Sequence, residues 1–276
     1  MPHRQMALIA LLLGCAPSGP PPPVVPAGVR SYQAPRASRA PTIDGRLDDS
    51  VWAGSSWSEA FVDIEGATRP QPPLATRFKL AWDASHLYVA VQLEEPDLWA
   101  TLTQRDAVIY HDNDIELFID PDGDGLRYFE LELNALNTPW DLFLAKPYRD
   151  GGHGDNSWDI AGLRSAVWLD GTLNDSRDRD RGWSVEIAIP WQAFSDSGRT
   201  RLPPRRGDRW RINFSRVEWD LDPMVDGYRK RPGAPEVKHP EHNWVWSPQG
   251  EINMHAPERW GVVEFVDLSR RSATRP

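Results

Sequence analysis

Cysteine, long apolar runs and basic blocks are all scarce in this sequence of 276 residues. The single cysteine, Cys15, excludes an intrachain disulfide framework and any cysteine-rich metal site. The apolar run at 6–13 is far shorter than the ~20 residues that a membrane-spanning helix needs. Lys and Arg number 31 against 40 Asp and Glu, which gives a formal net charge of -9. Such an acidic chain is a poor candidate for nucleic-acid binding, because neutralisation of phosphates dominates that affinity.

The first fifteen residues predict a secretion signal. Arg4 supplies the positive charge, 6–13 supplies the apolar segment, and the run ends in Leu-Leu-Gly before Cys15. This ending resembles a bacterial lipobox, in which the cysteine receives a diacylglycerol thioether and becomes the mature N-terminus. The resemblance implies a lipoprotein signal peptide over 1–14 and, because Ala16 rather than Asp follows, an outer-membrane location. An ordinary signal peptide beside an accidental cysteine is the alternative.

Proline dominates the next stretch. Residues 16–41 hold no apolar period, which predicts a semi-rigid, polyproline-like tether between the membrane and a folded domain. The predicted organisation is therefore a lipidated cysteine and tether over 15–41, a folded domain over 42–268 and a C-terminal tail over 269–276.

Alternation of apolar and polar residues prevails from residue 42 onward. Period-two runs bounded by Gly, Pro and Asp predict half-buried antiparallel strands. These runs lie at 78–82, 87–93, 115–119, 128–133, 141–145, 183–189, 210–217 and 260–266. Only two short helices are predicted, at 48–53 and 191–194. Eight or more strands with such turns predict one all-β domain, a β-sandwich.

An acidic turn follows one of these strands. Asp120, Asp122 and Asp124 match the opening of a calcium loop, but the twelfth position, where an EF-hand needs a bidentate Glu, is Leu131. The two remaining interpretations are a tight acidic hairpin turn, for which Asp and Gly are typical, and a calcium site of another kind built from the same carboxylates.

Carboxylates on the predicted strands raise the question of catalysis. Glycoside hydrolysis needs two carboxyl groups placed across a bond, and Glu116, Glu130, Glu132 and Glu186 all lie on strands. Nothing in the sequence shows two of them converging on a reacting centre. The sequence therefore predicts a protein that is not an enzyme.

Tryptophan is abundant, with 14 residues. Several stand in loop-like surroundings, where aromatic faces can stack on the C–H faces of sugars while polar neighbours meet the hydroxyls. These tryptophans are Trp99, Trp140, Trp158, Trp244 and Trp246, and Tyr110 is a further aromatic residue of the same type of setting.

Five segments, in this order, resemble family 9 carbohydrate-binding modules. They are PTIDGRLDDSVW at 41–52, AWDASHLYVAV at 81–91, DNDIELFID at 112–120 with the acidic turn and 129–134 after it, GWSVEIAIPW at 182–191, and RWG at 259–261. The resemblance covers roughly 41–267. It implies an antiparallel, jelly-roll-like β-sandwich with one or two short helices, often with bound calcium, that binds the ends of sugar chains.

The same resemblance implies a sugar site. Tyr110 stands where the family has the first of two clamping tryptophans, and Glu116 matches a carboxylate that accepts sugar hydroxyls. Asn134 matches an amide on the next strand. Glu132 replaces an arginine, which reverses the charge, and Met254 falls near the second clamping tryptophan.

The expected function is thus that of a non-catalytic lipoprotein of the cell envelope whose partner is a polysaccharide or oligosaccharide. The wider superfamily contains haem-binding domains, so haem-based electron transfer is one alternative and a purely structural envelope protein is another. The candidate haem ligands are Met224, Met254, His255, His111 and Lys146.

Overall fold

The computed structural model describes residues 28–198, 200–235 and 237–267, so the secretion signal, Cys15 and residues 268–276 lie outside the described residues. The strands are β1 Ser31–Pro35, β2 Val62–Asp63, β3 Thr76–Trp82, β4 His86–Glu94, β5 Asp114–Asp120, β6 Tyr128–Asn134, β7 Pro139–Leu144, β8 Gly154–Asp155, β9 Arg164–Asp170, β10 Gly182–Pro190, β11 Arg209–Glu218, β12 Leu221–Met224, β13 Gly227–Lys230, β14 His242–Val245 and β15 Gly261–Val266. A short helix, α1, spans Ser50–Ala53, and single 3-10 turns span Ile109–His111, Tyr148–Asp150, Trp191–Phe194 and Pro257–Arg259.

The strands form two facing sheets and a hairpin. The large sheet has the order β1-β15-β11-β5-β6-β7-β8, with β14 beside β11 and β2 beside β14. The small sheet has the order β3-β4-β10-β9, and β12 pairs with β13. The strand pairs are antiparallel except for β1 with β15. The predicted fold class, an all-β antiparallel sandwich with a short helix, is confirmed.

Alternation along the strands fills the space between the sheets. On β5, Ile115 and Leu117 point inward and are buried with side chains from the small sheet. Phe78 of β3 and Phe214 of β11 stack across the interface with ring centroids 4.0 Å apart. Burying one such side chain contributes ~1.5–3 kcal/mol. Because the apolar residues of β5 and β6 face this core, the residues between them must face outward.

The N-terminal boundary of the domain differs from the prediction. β1 lies inside the stretch 15–41 that the sequence assigned to a tether, and it pairs in parallel with β15. The Tyr32 hydroxyl donates to Ser56 O at 2.6 Å and accepts from Leu80 N at 3.1 Å. The folded domain therefore includes residues 31–35, a short strand that ends in Pro35 and was assigned to the proline-rich tether for that reason.

Other elements refine the predicted pattern. The predicted helices at 48–53 and 191–194 correspond to α1 and to a 3-10 turn. Besides β1, the strands that were not predicted are β2, β8, β9, β12, β13 and β14. Trp244 and Trp246, which were placed in loops, are buried in the core. Within the described ranges, no helix is long and apolar enough to cross a membrane.

Candidate binding site

The outer face of β5 and β6 carries a cluster of carboxylates. In the antiparallel register Glu116 lies opposite Glu132, Phe118 opposite Glu130, and Asp114 opposite Asn134. Side chains directly opposite each other share a face of the sheet. All three glutamates therefore lie together on the side away from the core, and each is at most 6% exposed. We call Glu116, Glu130 and Glu132 the carboxylate floor.

A cavity of about 430 Å³ lies over this floor. Aromatic rings and the loop before the last 3-10 turn border it. The aromatic lining residues are Tyr110, Phe118, Trp140 and Tyr148, and those from the loop are Ile252, Asn253, Met254 and His255.

Tyr110 stands at the rim of the cavity and is 39% exposed. Its backbone holds it there: the Tyr110 N–H donates to Glu132 Oε2 at 2.9 Å, and its carbonyl accepts from Trp219 Nε1 at 2.9 Å. The Tyr110 and Trp140 rings are 6.3 Å apart and inclined at 35°. The predicted stacking residue thus presents an exposed ring beside a second aromatic.

Burial and mutual repulsion dominate the electrostatics of the floor. Burial raises the pKa of Glu116 to about 7. The pKa of Glu132 lies well above its usual value, first because of burial and then because of the charges of Glu116 and Asp114. Burial also raises the pKa of Glu130, and the Glu116 carboxylate adds to that shift. Negative charge on the floor therefore has a cost in free energy.

Two oxygens of this cluster have no hydrogen-bond partner among the described residues: Glu130 Oε2 and Asp114 Oδ2. The imidazole Nε2 of His255 is 4.0 Å from Glu130 Oε2, which is beyond hydrogen-bonding distance. Burial lowers the pKa of His255 to about 4, so the ring is neutral near pH 7. Glu130 and Asp114 therefore each keep one acceptor oxygen without a donor among the described residues.

The floor brings carboxylates of β5 and β6 together, as the alternation of polar and apolar residues on two neighbouring strands implies. They rise from two neighbouring strands on one side of the cavity, whereas glycosidase carboxyls stand on both sides of the bond that breaks. Carboxylates on one side only can bind a polar group of a ligand, but they do not flank a bond as glycosidase carboxyls do.

Asn134 does not join this site, contrary to expectation. Its amide Nδ2 donates to Leu102 O at 2.8 Å and to Asp112 Oδ2 at 3.0 Å. Its Oδ1 accepts from the backbone N–H groups of Leu136 and Thr138. The side chain is fully buried, and its polar atoms connect the turn after β6 to the segment before β5.

Met254 lines the cavity, but it is buried and packs against other side chains of the wall rather than presenting a face to a ligand. It is 7% exposed and packs in a small apolar cluster with Phe118 and Trp260. The more exposed aromatic on that side is Tyr148, 46% exposed, whose ring meets that of His255 at 4.4 Å. Sequence reasoning missed Tyr148, because only the folded β6–β7 hairpin and the 3-10 turn after it bring this residue to the cavity.

The acidic turn lies apart from the cavity. Asp120 accepts the N–H groups of Gly123 and Gly125, both at 2.9 Å, as a tight turn requires. Carboxylate oxygens of Asp120, Asp122 and Asp124 lie within 4.8 Å of one another. Burial raises the pKa of Asp120 to about 7, and a divalent cation would offset that cost. This all-oxygen donor set fits calcium. Calcium binding at the turn stays a prediction.

The residues considered as haem ligands are not gathered at one place. Met224 is 45% exposed on the β12–β13 hairpin. Of the candidates only Met254 and His255 line the cavity, and His255 Nδ1 lies 2.9 Å from the Tyr128 hydroxyl. The geometry offers no pair of axial ligands among the described residues.

Comparisons with known proteins give one matching family and several similar structures. The family model described as carbohydrate family 9 binding domain-like matches residues 43–207. A protein of Bacteroides uniformis described as carbohydrate-binding superposes with a TM-score of 0.61 at 16% identity, over 86% of this chain and 99% of that one. No curated protein sequence matches the chain.

Two further similar structures come from Caldicellulosiruptor kristjanssonii. Both are family 9 carbohydrate-binding modules, one in complex with cellotriose and the other with glucose. Each is 18% identical to this chain and covers 90% of it, with 98% and 100% of the modules matched and TM-scores of 0.54 and 0.53. At these identities the similarity establishes the shared sandwich fold.

Proposed function

Because the chain belongs to the carbohydrate family 9 binding domain-like family, we propose that it is a lipid-anchored protein of the bacterial outer membrane that holds the ends of glycan chains in the cavity over β5 and β6. The family consists of carbohydrate-binding modules, so the chain is a non-catalytic, carbohydrate-binding protein. The site, the preference for chain ends and the location are the parts that we propose.

The observation that carries the choice of site is the exposed Tyr110 ring above buried acceptors. A pyranose presents C–H groups on its face and hydroxyl donors at its edge. Tyr110 and Trp140 offer the apolar surface, and the carboxylate of Glu116 accepts hydroxyl protons. Each hydrogen bond of this kind contributes about 1 kcal/mol net, which is consistent with micromolar to millimolar affinity.

The dimensions of the cavity favour chain ends. About 430 Å³ lies at the lower end of the ~300–1,000 Å³ range of ligand pockets. The loop that carries Met254 and His255 closes one side, so a long chain has less room to continue there. A terminal sugar unit suits this shape better than the middle of a polysaccharide.

Calorimetric titration with glucose and cellotriose, followed by a glycan array, tests the site. We expect Tyr110→Ala to weaken binding by about tenfold, or ~1.4 kcal/mol, because the stacking surface is lost. Tyr110→Phe is the matched control and should bind nearly as the wild type does, since the ring remains. Equal affinity of the Ala variant and the wild type would place the ligand elsewhere.

The anchor is tested separately. We expect Cys15→Ala to move the protein from the membrane fraction to the soluble fraction, because the short apolar segment ends at that cysteine and lipid chains would supply the attachment. Sedimentation of the Ala variant with membranes, without a difference in lipid mass, would contradict the lipobox interpretation.

A further inference from the structure

We propose, on the basis of the proposed function, that the cavity selects an amino sugar: a glycan unit whose ammonium group lies against Glu116, Glu130 and Glu132 while its ring packs on Tyr110. The proposal names the class of ligand for the same site. Four observations support it.

The first is the charge of the lining. The carboxylate floor contributes three acidic groups and Glu241 contributes a fourth. Among the described residues no Lys or Arg side chain lines the cavity. Two imidazoles line the cavity as well. His255 Nε2 is 4.0 Å from Glu130 Oε2 and is neutral near pH 7 for the reason given above, and His239 Nδ1 lies 3.2 Å from Glu241 Oε1, so the three carboxyl groups of the floor are the ones without a basic partner among the described residues. The cavity is therefore complementary to a cation.

The second is that acceptors are left free at the floor. Glu130 is 4% exposed, lines the cavity and has an Oε2 atom without a hydrogen-bond partner. Asp114, two residues before Glu116 on β5, has an unpartnered Oδ2 as well but does not line the cavity. An ammonium group has three donors and no acceptor, so it can donate to Glu130 and to a neighbouring carboxylate of the floor at once. A sugar hydroxyl donates one proton and brings an acceptor into an already acidic site.

The third is a contrast with another buried acidic cluster. Arg216 Nη2, on β11, lies 2.7 Å from Glu218 Oε2 on the same strand and 2.9 Å from Oε2 of Glu95, which follows β4 of the small sheet. That cluster has a cation between its carboxylates. Among the described residues no Lys or Arg plays this part at the floor, and we infer that the ligand supplies the cation.

The fourth is the presence of aromatic walls. Rings of Tyr110, Trp140 and Tyr148 border the cavity, and aromatic faces attract organic cations as well as sugar rings. Carboxylates of Asp114, Glu116 and Glu132 lie within 4.8 Å, which a bare divalent ion could bridge. Such an ion would leave the walls and most of the cavity unused, so an organic cation the size of a sugar fits better.

Three monosaccharides that differ at one position test the proposal: glucosamine, N-acetylglucosamine and glucose, each titrated calorimetrically at about pH 7 and low salt. We expect glucosamine to bind about tenfold or more tightly than the other two, because it alone carries an ammonium group. Glu132→Gln and, independently, Glu130→Gln should reduce that preference several-fold. Glu59→Gln removes an exposed carboxylate that pairs with Arg30 and should leave it unchanged.

The outcomes separate this proposal from the proposed function. Equal or tighter binding of glucose would overturn the amino-sugar preference and leave glycan binding intact. Binding of calcium chloride alone that is lost in both Gln variants, without a preference for glucosamine, would also overturn it, in favour of a metal site. Failure of all three sugars together with a silent glycan array would contradict the proposed function itself. Circular dichroism of both Gln variants checks that they keep the fold of the wild type, so that a lost preference for glucosamine reflects the site.

Discussion

Buried carboxylates occur on the outer faces of both sheets, and their surroundings differ. Glu186, on β10 of the small sheet, accepts from Trp52 Nε1 at 2.6 Å and from the N–H groups of Asp44 and Gly45 at 3.0 Å each. On the floor of the large sheet, Glu130 Oε2 has no hydrogen-bond donor among the described residues. A carboxylate with a full set of donors holds the chain in place, whereas one without them is prepared for a ligand.

The difference also explains the segment at 41–52. Its Trp52 and its tight turn at Gly45 are the parts that bind Glu186, and the turn lies against β9. The most recognisable sequence segment of the N-terminal half therefore maintains the sandwich. Binding depends on the less distinctive outer face of β5 and β6.

Removal of the Glu186 carboxylate should have the largest effect. Glu186→Ala leaves two buried N–H donors, those of Trp52 and Gly45, and the part-buried N–H of Asp44 without an acceptor, so we expect a loss of ~3–5 kcal/mol in the free energy of unfolding. Urea denaturation at about pH 7 measures it. Glu186→Gln keeps one acceptor oxygen and should lose less. A loss below about 1 kcal/mol in the Ala variant would remove the distinction between the two carboxylate sites.

The turn that meets Glu186 should be almost as sensitive. Gly45 has φ +84, and an added Cβ would lie 2.5 Å from Trp168 N. We expect Gly45→Ala to cost ~2–4 kcal/mol, from the left-handed backbone and the clash together. Gly207, at φ +90 with open space around it, isolates the backbone contribution. Gly207→Ala should cost only ~1 kcal/mol, and equal losses would show that the contact with β9 is unimportant.

Removal of a carboxylate from the floor should stabilise the protein, whereas removal of Glu186 destabilises it. A carboxyl whose pKa is raised in the folded state adds stability below its unfolded value, and that stability is lost as pH rises through the folded value. For Glu132, which faces Glu116, Glu130 and Asp114, this predicts a wild type that weakens above about pH 5. We expect Glu132→Gln to unfold later than the wild type at about pH 8, by roughly 1 kcal/mol, with the gap closing near pH 5. A destabilised variant at pH 8 would show that the floor is already satisfied.

The acidic turn offers the smallest expected effect. If calcium binds Asp120, Asp122 and Asp124, its addition should raise the melting temperature by a few degrees, which corresponds to ~1 kcal/mol. Asp122→Asn should abolish that rise, whereas Glu132→Gln should keep it. A melting curve that is identical in calcium and in chelator would favour the plain hairpin turn.

Sequence patterns predicted the strands in which apolar and polar residues alternate strictly. They failed for strands whose burial depends on contacts with distant parts of the chain. β5 and β6 were predicted because one face of each is continuously apolar. β1 was missed because its burial comes from β15, more than two hundred residues away in the chain. At the site, Tyr110 and Glu116 followed from the family resemblance, whereas Glu130 joined only through the register of β5 and β6. Asn134 was misassigned because sequence shows the face of a side chain but not its hydrogen-bond partners.

The most direct test of the central claim is a crystal structure of the protein with glucosamine. The account predicts a pyranose ring against Tyr110, with its ammonium group within about 3 Å of the carboxylates of Glu116, Glu130 or Glu132. A larger cavity of about 680 Å³ adjoins this one and is lined by Arg69, Trp244 and His242. A sugar found there, with the floor of β5 and β6 left uncovered, would contradict the account.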